Sequence, residues 1–124
     1  MMYSYTNIEK EISKNYRERL NEAKKPSEVT DIFSKTIIDL LSRINEDFAQ
    51  YTLSDIKLDI NSEKKYEISE NLSKDPRFDY LIRESDLPAI IERLAKDAAN
   101  RYLKLVKDDD KTATFNLPPK RKNF

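Results

Sequence analysis

The chain of 124 residues contains no glycine, and this absence constrains its fold and its chemistry more than any other feature. A P-loop and a dinucleotide-binding turn both need glycine where backbone N–H groups approach phosphates, so both are excluded. Tight hairpin turns with positive φ angles are disfavoured, because asparagine and aspartate would have to supply those angles. The sequence therefore favours helices joined by short loops.

Histidine and cysteine are also absent, which removes most of the familiar catalytic and metal-binding sites. Without histidine the chain lacks the commonest general base and the imidazole metal ligands. Without cysteine it has no thiolate nucleophile and no disulfide framework. Zinc is left with carboxylates alone, which are a poor set for that metal. We therefore expect no catalysis, no metal site and no cofactor.

The sequence carries no apolar run that resembles a targeting or membrane segment. Its N-terminus lacks a stretch of signal-peptide length, and nothing later approaches the length of a membrane span. The lack of cysteine fits a reducing compartment. These features predict a soluble, cytoplasmic protein that does not enter a membrane.

Three long segments carry apolar residues at helical spacing. The first helix is predicted to open at Thr6, whose hydroxyl begins the capping box "TNIE", and to stop before Pro26. The second helix carries the strongest apolar stripe. It should be capped by Ser27 and run to about Gln50 or Tyr51.

The C-terminal half is predicted to contain a short helix and then a long one. The short helix starts at Asp75, with Pro76 in the first helical position. The long helix follows a cap at Ser85 or Asp86. It should fray in the acidic run "KDDDK", because aspartates at a helix C-terminus oppose the helix dipole.

Between the second helix and the short one, the apolar period changes from helical to alternating. Apolar residues stand at every second position in "DIKLDI" and again at Tyr66 and Ile68. This pattern predicts a small β-hairpin around residues 55–69, although a mobile loop or a weak helix remains an alternative. The predicted fold is mainly α: a bundle of three long helices and one short helix, with this hairpin inserted. A single helical domain over residues 1–110 is followed by an extended tail over residues 111–124.

The tail is the first candidate binding site, because a helical domain does not need such a segment. In "TATFNLPPKRKNF" two apolar residues at spacing two precede two prolines, which favour an extended, polyproline-like path. Such segments add a strand to a partner or dock in its groove. The candidate residues are Phe115, Leu117, Pro118, Pro119, Lys120, Arg121 and Lys122. They predict a protein partner, so that the chain would serve as an accessory subunit, adaptor or inhibitor of a larger assembly. Docking of the tail on its own helices, or a disordered tail, remains open.

Two basic ridges form the alternative candidate site, for nucleic acid. Cations recur at steps of three and four along the last and first helices, and each row could follow a phosphate backbone. The residues are Arg93, Lys96, Lys104 and Lys107, and Lys10, Lys14 and Arg17. A formal net charge of zero hides such a segregation. Acidic residues flank both ridges, so solvated faces of mixed charge explain the same pattern.

Carboxylates around the predicted hairpin suggest two remote enzymatic alternatives. A Mg²⁺-dependent nuclease would use acids and a lysine on the hairpin, and a nucleotide pyrophosphatase would use two glutamates three residues apart on a helix. The residues concerned are Asp55, Asp59, Glu63 and Lys65 for the first, and Glu67 and Glu70 for the second. The α/β sheet of the first class and the partner motif of the second are missing. We therefore expect neither.

Small residues in the last helix raise the question of self-association. Ala95, Ala98 and Ala99 would let a neighbouring helix approach closely, including one from a second copy. Elsewhere, the run "RINEDF" at residues 43–48 resembles a short stretch in the helical domain of archaeal replication-complex subunits of the GINS type. It covers six residues, and nothing is carried over from it.

Overall fold

Three long helices and a hairpin region make up the part of the chain that the structure describes. The computed structural model describes the backbone of residues 4–116 and the side chains of residues 4–107. Its elements in chain order are α1 (Thr6–Glu22), α2 (Pro26–Ile44), a 3₁₀ turn (Glu46–Gln50), β1 (Ile56–Leu58), β2 (Tyr66–Ile68), α3 (Glu70–Ser73), α4 (Pro76–Glu84) and α5 (Leu87–Asn116). The predicted helical fold with a small inserted hairpin is confirmed. The single turn α3 was not predicted.

The first and last helices, α1 and α5, run parallel and side by side. Arg93 on α5 bonds to Glu9 near the start of α1, and Arg101 bonds to the carbonyl of Ala23 just after its end. The short connection at residues 23–25 turns the chain back, so that α2 lies antiparallel to α1. Because α1 and α5 are neighbours, their exposed side chains lie close to one another.

The core is formed where the apolar stripes of the three long helices meet, as their helical spacing predicts. Its largest fully buried side chains are Tyr16, Phe33, Phe48, Ile37, Leu40, Leu41, Ile56, Leu72, Leu87, Ile90, Ile91 and Val29. The buried hydroxyl of Tyr16 donates a 2.6 Å hydrogen bond to the carbonyl of Leu94, which satisfies it inside the core. Burial raises the pKa of Tyr16 well above its ordinary value.

The alanines of α5 allow close helix packing, but within the molecule. Ala95, Ala98 and Ala99 are all buried in the single chain. They offer no surface to a second copy, so the route to self-association expected from them is wrong.

The predicted hairpin is confirmed as an antiparallel pair of short strands, in which Ile56 lies opposite Ile68. The hydroxyl of Ser34 on α2 donates to the carbonyl of Ile56 at 2.6 Å and ties the hairpin to the core. Lys65, at the end of the connecting loop, has a φ angle of 73°. A lysine therefore takes the left-handed conformation that we expected asparagine or aspartate to supply.

Two predicted helix caps differ from the structure. Thr6 forms no side-chain cap, because it is already the first residue of α1 and Tyr5 holds the N-cap position; Glu9 is bonded to Arg93. Ser27 lies inside α2, which begins at Pro26. The carboxylate of Glu28 instead accepts from the backbone N–H groups before Pro26, which lowers the pKa of Glu28.

The predicted end of α2 at Gln50 or Tyr51 is also wrong. The helix ends at Ile44, because Asn45 adopts an extended conformation and accepts a 3.0 Å hydrogen bond from the N–H of Asp47. This Asn cap starts the 3₁₀ turn, and Phe48 in that turn is buried like the apolar residues of α2 that precede it.

Two helix starts in the C-terminal half are confirmed. Asp75 caps α4, accepting a 2.9 Å hydrogen bond from the N–H of Arg77. The hydroxyl of Ser85 accepts a 3.1 Å hydrogen bond from the N–H of Leu87, where α5 begins. The end of α5 differs from the prediction, because the helix continues through "KDDDK" to Asn116. Residues 111–116 are thus helical rather than extended.

Candidate binding surfaces

The parallel packing of α1 and α5 brings the two predicted basic ridges together. We call this surface, formed by Lys10, Lys14, Arg17, Arg93, Lys96, Arg101, Lys104 and Lys107, the basic face. A groove of about 320 Å³ runs between the helices. It is lined by Arg17, Leu20, Asn21, Asp97, Asn100, Arg101 and Lys104. Sequence reasoning placed the ridges on two helices, and the structure shows that these helices are neighbours.

Carboxylates neutralise part of the basic face. Arg93 donates to both carboxylate oxygens of Glu9, at 2.9 and 2.7 Å, which raises the pKa of Arg93. Lys96 pairs with Glu92 at 3.3 Å, and Asp97 lies 3.9 Å from Arg17. The flanking acids therefore act as expected for a face of mixed charge.

Four lysines of the basic face remain exposed. Within the side chains that the structure describes, no ion pair is found for Lys10, Lys14, Lys104 or Lys107. Lys104 lines the groove between α1 and α5, and the four lysines leave the basic face with a positive excess although the whole chain has none.

Arg101, which was not among the residues of the predicted ridges, has a structural role. Its guanidinium donates three hydrogen bonds of 2.8, 3.0 and 2.8 Å to the carbonyls of Leu20, Asn21 and Ala23. These carbonyls belong to the last turn of α1 and to the residue that follows it, where a helix leaves acceptors unpaired. Arg101 thus supplies the C-terminal cap that glycine often provides in other proteins.

A second surface, which we call the apolar groove, lies between the end of α2 and the start of α4. Its volume is about 360 Å³. It is lined by Ile44, Asn45, Phe48, Pro76, Arg77, Tyr80 and Leu81. Phe48 is fully buried beneath it, whereas 44% of Tyr80 is exposed. The groove therefore has a fixed aromatic floor and an exposed aromatic wall.

Arg77 is held firmly within the apolar groove. Its guanidinium lies 5.5 Å from the centre of the Phe48 ring, within the range of a cation–π contact. It donates to Asp75 at 3.0 and 3.2 Å and to Asp47 at 2.6 Å. The hydroxyl of Tyr51 donates to the same Asp75 at 2.5 Å. This network fixes one side of the groove.

The network also shifts the protonation of its members. Hydrogen bonds from Arg77, and then from Tyr51, hold the pKa of the buried Asp75 carboxyl well below its usual range. The hydrogen bond to Asp75 raises the pKa of Tyr51. These shifts follow from pairing, so they indicate a structural carboxylate rather than an acid or base poised for proton transfer.

The charge near the apolar groove is negative. The single guanidinium of Arg77 faces two carboxylates, those of Asp75 and Asp47. Glu46, which is exposed on the same 3₁₀ turn, adds a further negative charge. We call Glu46 and Asp47 the acidic rim of the groove.

Sequence reasoning missed the apolar groove. The predicted second helix ran on to Gln50 or Tyr51, so Phe48 would have lain within that helix. The groove forms because α2 stops at Ile44 and the chain turns. The available signal was the asparagine of "RINEDF", whose side chain caps the 3₁₀ turn.

The predicted tail site lies mostly beyond the residues that the structure describes. Phe115 belongs to α5, which differs from the extended path predicted for it. Leu117, Pro118, Pro119, Lys120, Arg121 and Lys122 lie outside the described residues. For them the prediction of partner binding remains a prediction.

Two of the carboxylates near the hairpin, those of Asp55 and Asp59, accept hydrogen bonds that stabilise turns of the backbone. Asp55 accepts from the N–H of Thr52 at 2.9 Å, and then from the hydroxyl of Ser69 at 2.7 Å, which lowers the pKa of Asp55. Asp59 accepts from the N–H of Asn61 at 3.0 Å. Glu63 is exposed in the loop.

The two glutamates considered for a nucleotide pyrophosphatase lie on two different elements. Glu67 lies on β2, whereas Glu70 lies on α3 and pairs with Lys74. They do not share a helical face. Among the described residues, no group of three or more Asp or Glu side chains is placed to hold a metal ion.

Comparison with known proteins does not identify the function of these surfaces. No protein family, curated protein or solved structure matches this chain. Over the residues that the structure describes, none of the helices has both the length and the apolar character needed to cross a membrane.

Proposed function

We propose that this protein acts by binding another protein, as an accessory subunit, adaptor or inhibitor, and that the apolar groove receives an extended segment of the partner. The observation that carries the proposal is the groove itself, with its buried Phe48, its exposed Tyr80 and the fixed Arg77 between them. Aromatic residues and arginine are the side chains most often responsible for affinity at protein interfaces.

The groove is organised before a partner arrives. Arg77 is held by Asp75 and Asp47, and Asp75 is held in turn by Tyr51. Binding therefore costs little side-chain ordering on this side of the interface. Grooves lined by aromatic residues typically take extended or proline-containing segments, whose own ordering cost is low.

The predicted tail and the predicted location belong to the same proposal. The segment Leu117–Lys122 has the composition of a ligand for such a groove, and it is our candidate for a second contact with the partner. A cytoplasmic setting is supported by the complete lack of cysteine in the chain.

The test is selection of displayed random peptides on the full chain, followed by binding to two variants. Tyr80→Glu places a charge in the groove. Leu103→Glu places one on α5 at the other large apolar side chain that is strongly exposed in the described residues. We expect selected peptides to lose about tenfold or more in affinity with Tyr80→Glu and to bind Leu103→Glu as well as wild type. Failure to select any peptide, or equal binding to both variants, would contradict the proposal.

Nucleic-acid binding is the second candidate function, favoured by the meeting of both ridges on the basic face. The measurement is binding of a labelled random duplex and a random single strand at low and moderate salt. A variant with Lys14, Lys104 and Lys107 changed to Glu should lose the binding. A control with Lys35, Lys57 and Lys64 changed to Glu, all exposed elsewhere, should keep most of it. Absence of binding at low salt removes this candidate.

A further inference from the structure

We propose that the apolar groove receives the segment Leu117–Lys122 of a second copy of the same chain, so that the protein associates head to tail. This inference rests on the proposed function and names the partner. It joins two features that were found independently: the groove in the structure and the tail in the sequence.

The chemistry of the segment matches the groove. Leu117, Pro118 and Pro119 form an apolar run whose prolines have no N–H group to leave unpaired. The groove offers the ring of Tyr80 and the floor over Phe48 for such a run. Docking of proline-rich segments between aromatic side chains is a recurrent mode of peptide recognition.

The charges of the tail segment and of the groove are complementary. Lys120, Arg121 and Lys122 follow the prolines directly, so they would lie beside the groove when the prolines are inside it. The acidic rim, Glu46 and Asp47, directly follows Asn45, which lines the groove; Glu46 is exposed, and Asp47 is already paired with Arg77. Opposite charges at the edge of an interface chiefly fix its register and speed its formation, and they are screened by salt.

The groove lies at the end of the bundle where α1 and α2 meet the first half of α5. Arg43, at the end of α2, lies 3.5 Å from Glu11 near the start of α1. Glu9, two residues earlier in α1, is bonded to Arg93 of α5. Ile44, which lines the groove, is therefore at about the level of Arg93.

The helix α5 continues well past the level of Arg93 and ends at Asn116. The stretch of α5 from Arg93 to Asn116 is about 35 Å long. Pro119 follows Asn116 by three residues, which reach about 11 Å at most. The prolines of a chain therefore cannot reach the groove of the same chain, and docking requires a second molecule.

An association of this kind joins two different surfaces. The groove of one copy holds the tail of the next, which leaves one groove and one tail unused in a dimer. Further copies can add until a ring closes. The expected behaviour is mass that rises with protein concentration and falls when salt is added.

The experiment is sedimentation velocity on the full chain over a range of concentrations, with a tail variant, Leu117→Glu, and a groove variant, Tyr80→Glu. Wild type should form oligomers, and each variant alone should stay monomeric. An equimolar mixture of the two should form a heterodimer and nothing larger, because the tail variant keeps its groove and the groove variant keeps its tail. Formation of that heterodimer also shows that the tail variant keeps a folded groove, and far-ultraviolet circular dichroism checks that the groove variant is folded. Leu103→Glu, the matched control, should associate like wild type.

Three results would overturn the inference. They are a wild-type chain that stays monomeric at the highest concentration, a tail variant that associates like wild type, and a mixture that gives no heterodimer. If displayed peptides still bind the groove in any of these cases, the proposed function survives and its partner is a different protein. If displayed peptides also fail, both proposals are lost.

Discussion

The guanidinium of Arg101 on α5 donates a 2.8 Å hydrogen bond to the carbonyl of Ala23, which follows the last turn of α1. Two further bonds reach the carbonyls of Leu20 and Asn21. One side chain thus closes the end of a helix and joins it to its neighbour. In a chain without glycine this side chain takes the place of the residue that most readily turns left-handed at the end of a helix.

We expect Arg101→Lys to lower the free energy of unfolding by about 1–2 kcal/mol. Lysine keeps the charge, but its ammonium group lacks the fork that serves three carbonyls at once. The matched control is Arg83→Lys, which alters an exposed i,i+4 pair with Asp79 and should change stability by less than about 0.5 kcal/mol. Urea denaturation measures both. Equal effects of the two substitutions would show that the cap contributes nothing.

Asp75 should make the free energy of unfolding depend on pH in the acidic range. Its pKa is lower in the folded chain than in the unfolded one, so the unfolded chain takes up the proton first as pH falls. The stabilisation is therefore present above the ordinary value of about 4 and is lost as pH falls below it. We expect Asp75→Asn to cost about 2 kcal/mol at pH 7.

The same substitution should flatten the acid limb of the stability curve. Asp55 and Glu28 keep their lowered pKa values in this variant. Its free energy of unfolding should therefore still fall somewhat between about pH 4 and pH 2. Chemical unfolding at several pH values measures this slope, with Asp31→Asn, an exposed carboxylate on α2, as the control. A variant whose curve runs parallel to that of wild type would contradict the assignment.

Lys65 should be replaceable with a gain in stability. Its φ of 73° costs a side chain with a Cβ atom about 1 kcal/mol. Lys65→Gly removes that cost but also the 3.1 Å bond from its ammonium group to the carbonyl of Ile60. The expected net gain is about 0.5 kcal/mol.

The neighbouring Lys64 provides the control for that gain. It is exposed and does not have a positive φ, so Lys64→Gly should destabilise the protein through the greater freedom of its unfolded chain. Thermal unfolding of both variants gives the comparison. A loss of stability in Lys65→Gly as large as that in Lys64→Gly would show that the loop carries no strain at this position.

The helices and hairpin could be predicted from the sequence because each follows a regular spacing of apolar residues. Tyr16 and Phe33 fall on helical stripes, and Ile56 and Ile68 fall on alternating ones, whatever their distant neighbours are. The ends of these elements were less predictable. They depend on contacts between distant residues, such as the bond of Arg93 that takes Glu9 away from the predicted capping box.

The binding surfaces were predictable only in part, and for the same reason. Lys14 and Lys104 could be assigned to ridges from spacing alone, but the packing of α1 against α5 decided that the ridges share one face. The apolar groove depends on the turn at Asn45 and on the placement of Tyr80 across from it. No local pattern in the sequence specifies that relationship.

The most direct test of the account is a titration of the isotopically labelled full chain with the unlabelled peptide FNLPPKRKNF, followed through backbone amide resonances. The peptide carries residues 115–124 of the chain itself. We predict that the shifted amides cluster at Asn45, Phe48 and Tyr80, and that Tyr80→Glu abolishes the shifts. Shifts confined to the basic face, or no shifts at a large excess of peptide, would contradict the claim that the apolar groove receives the tail of this chain.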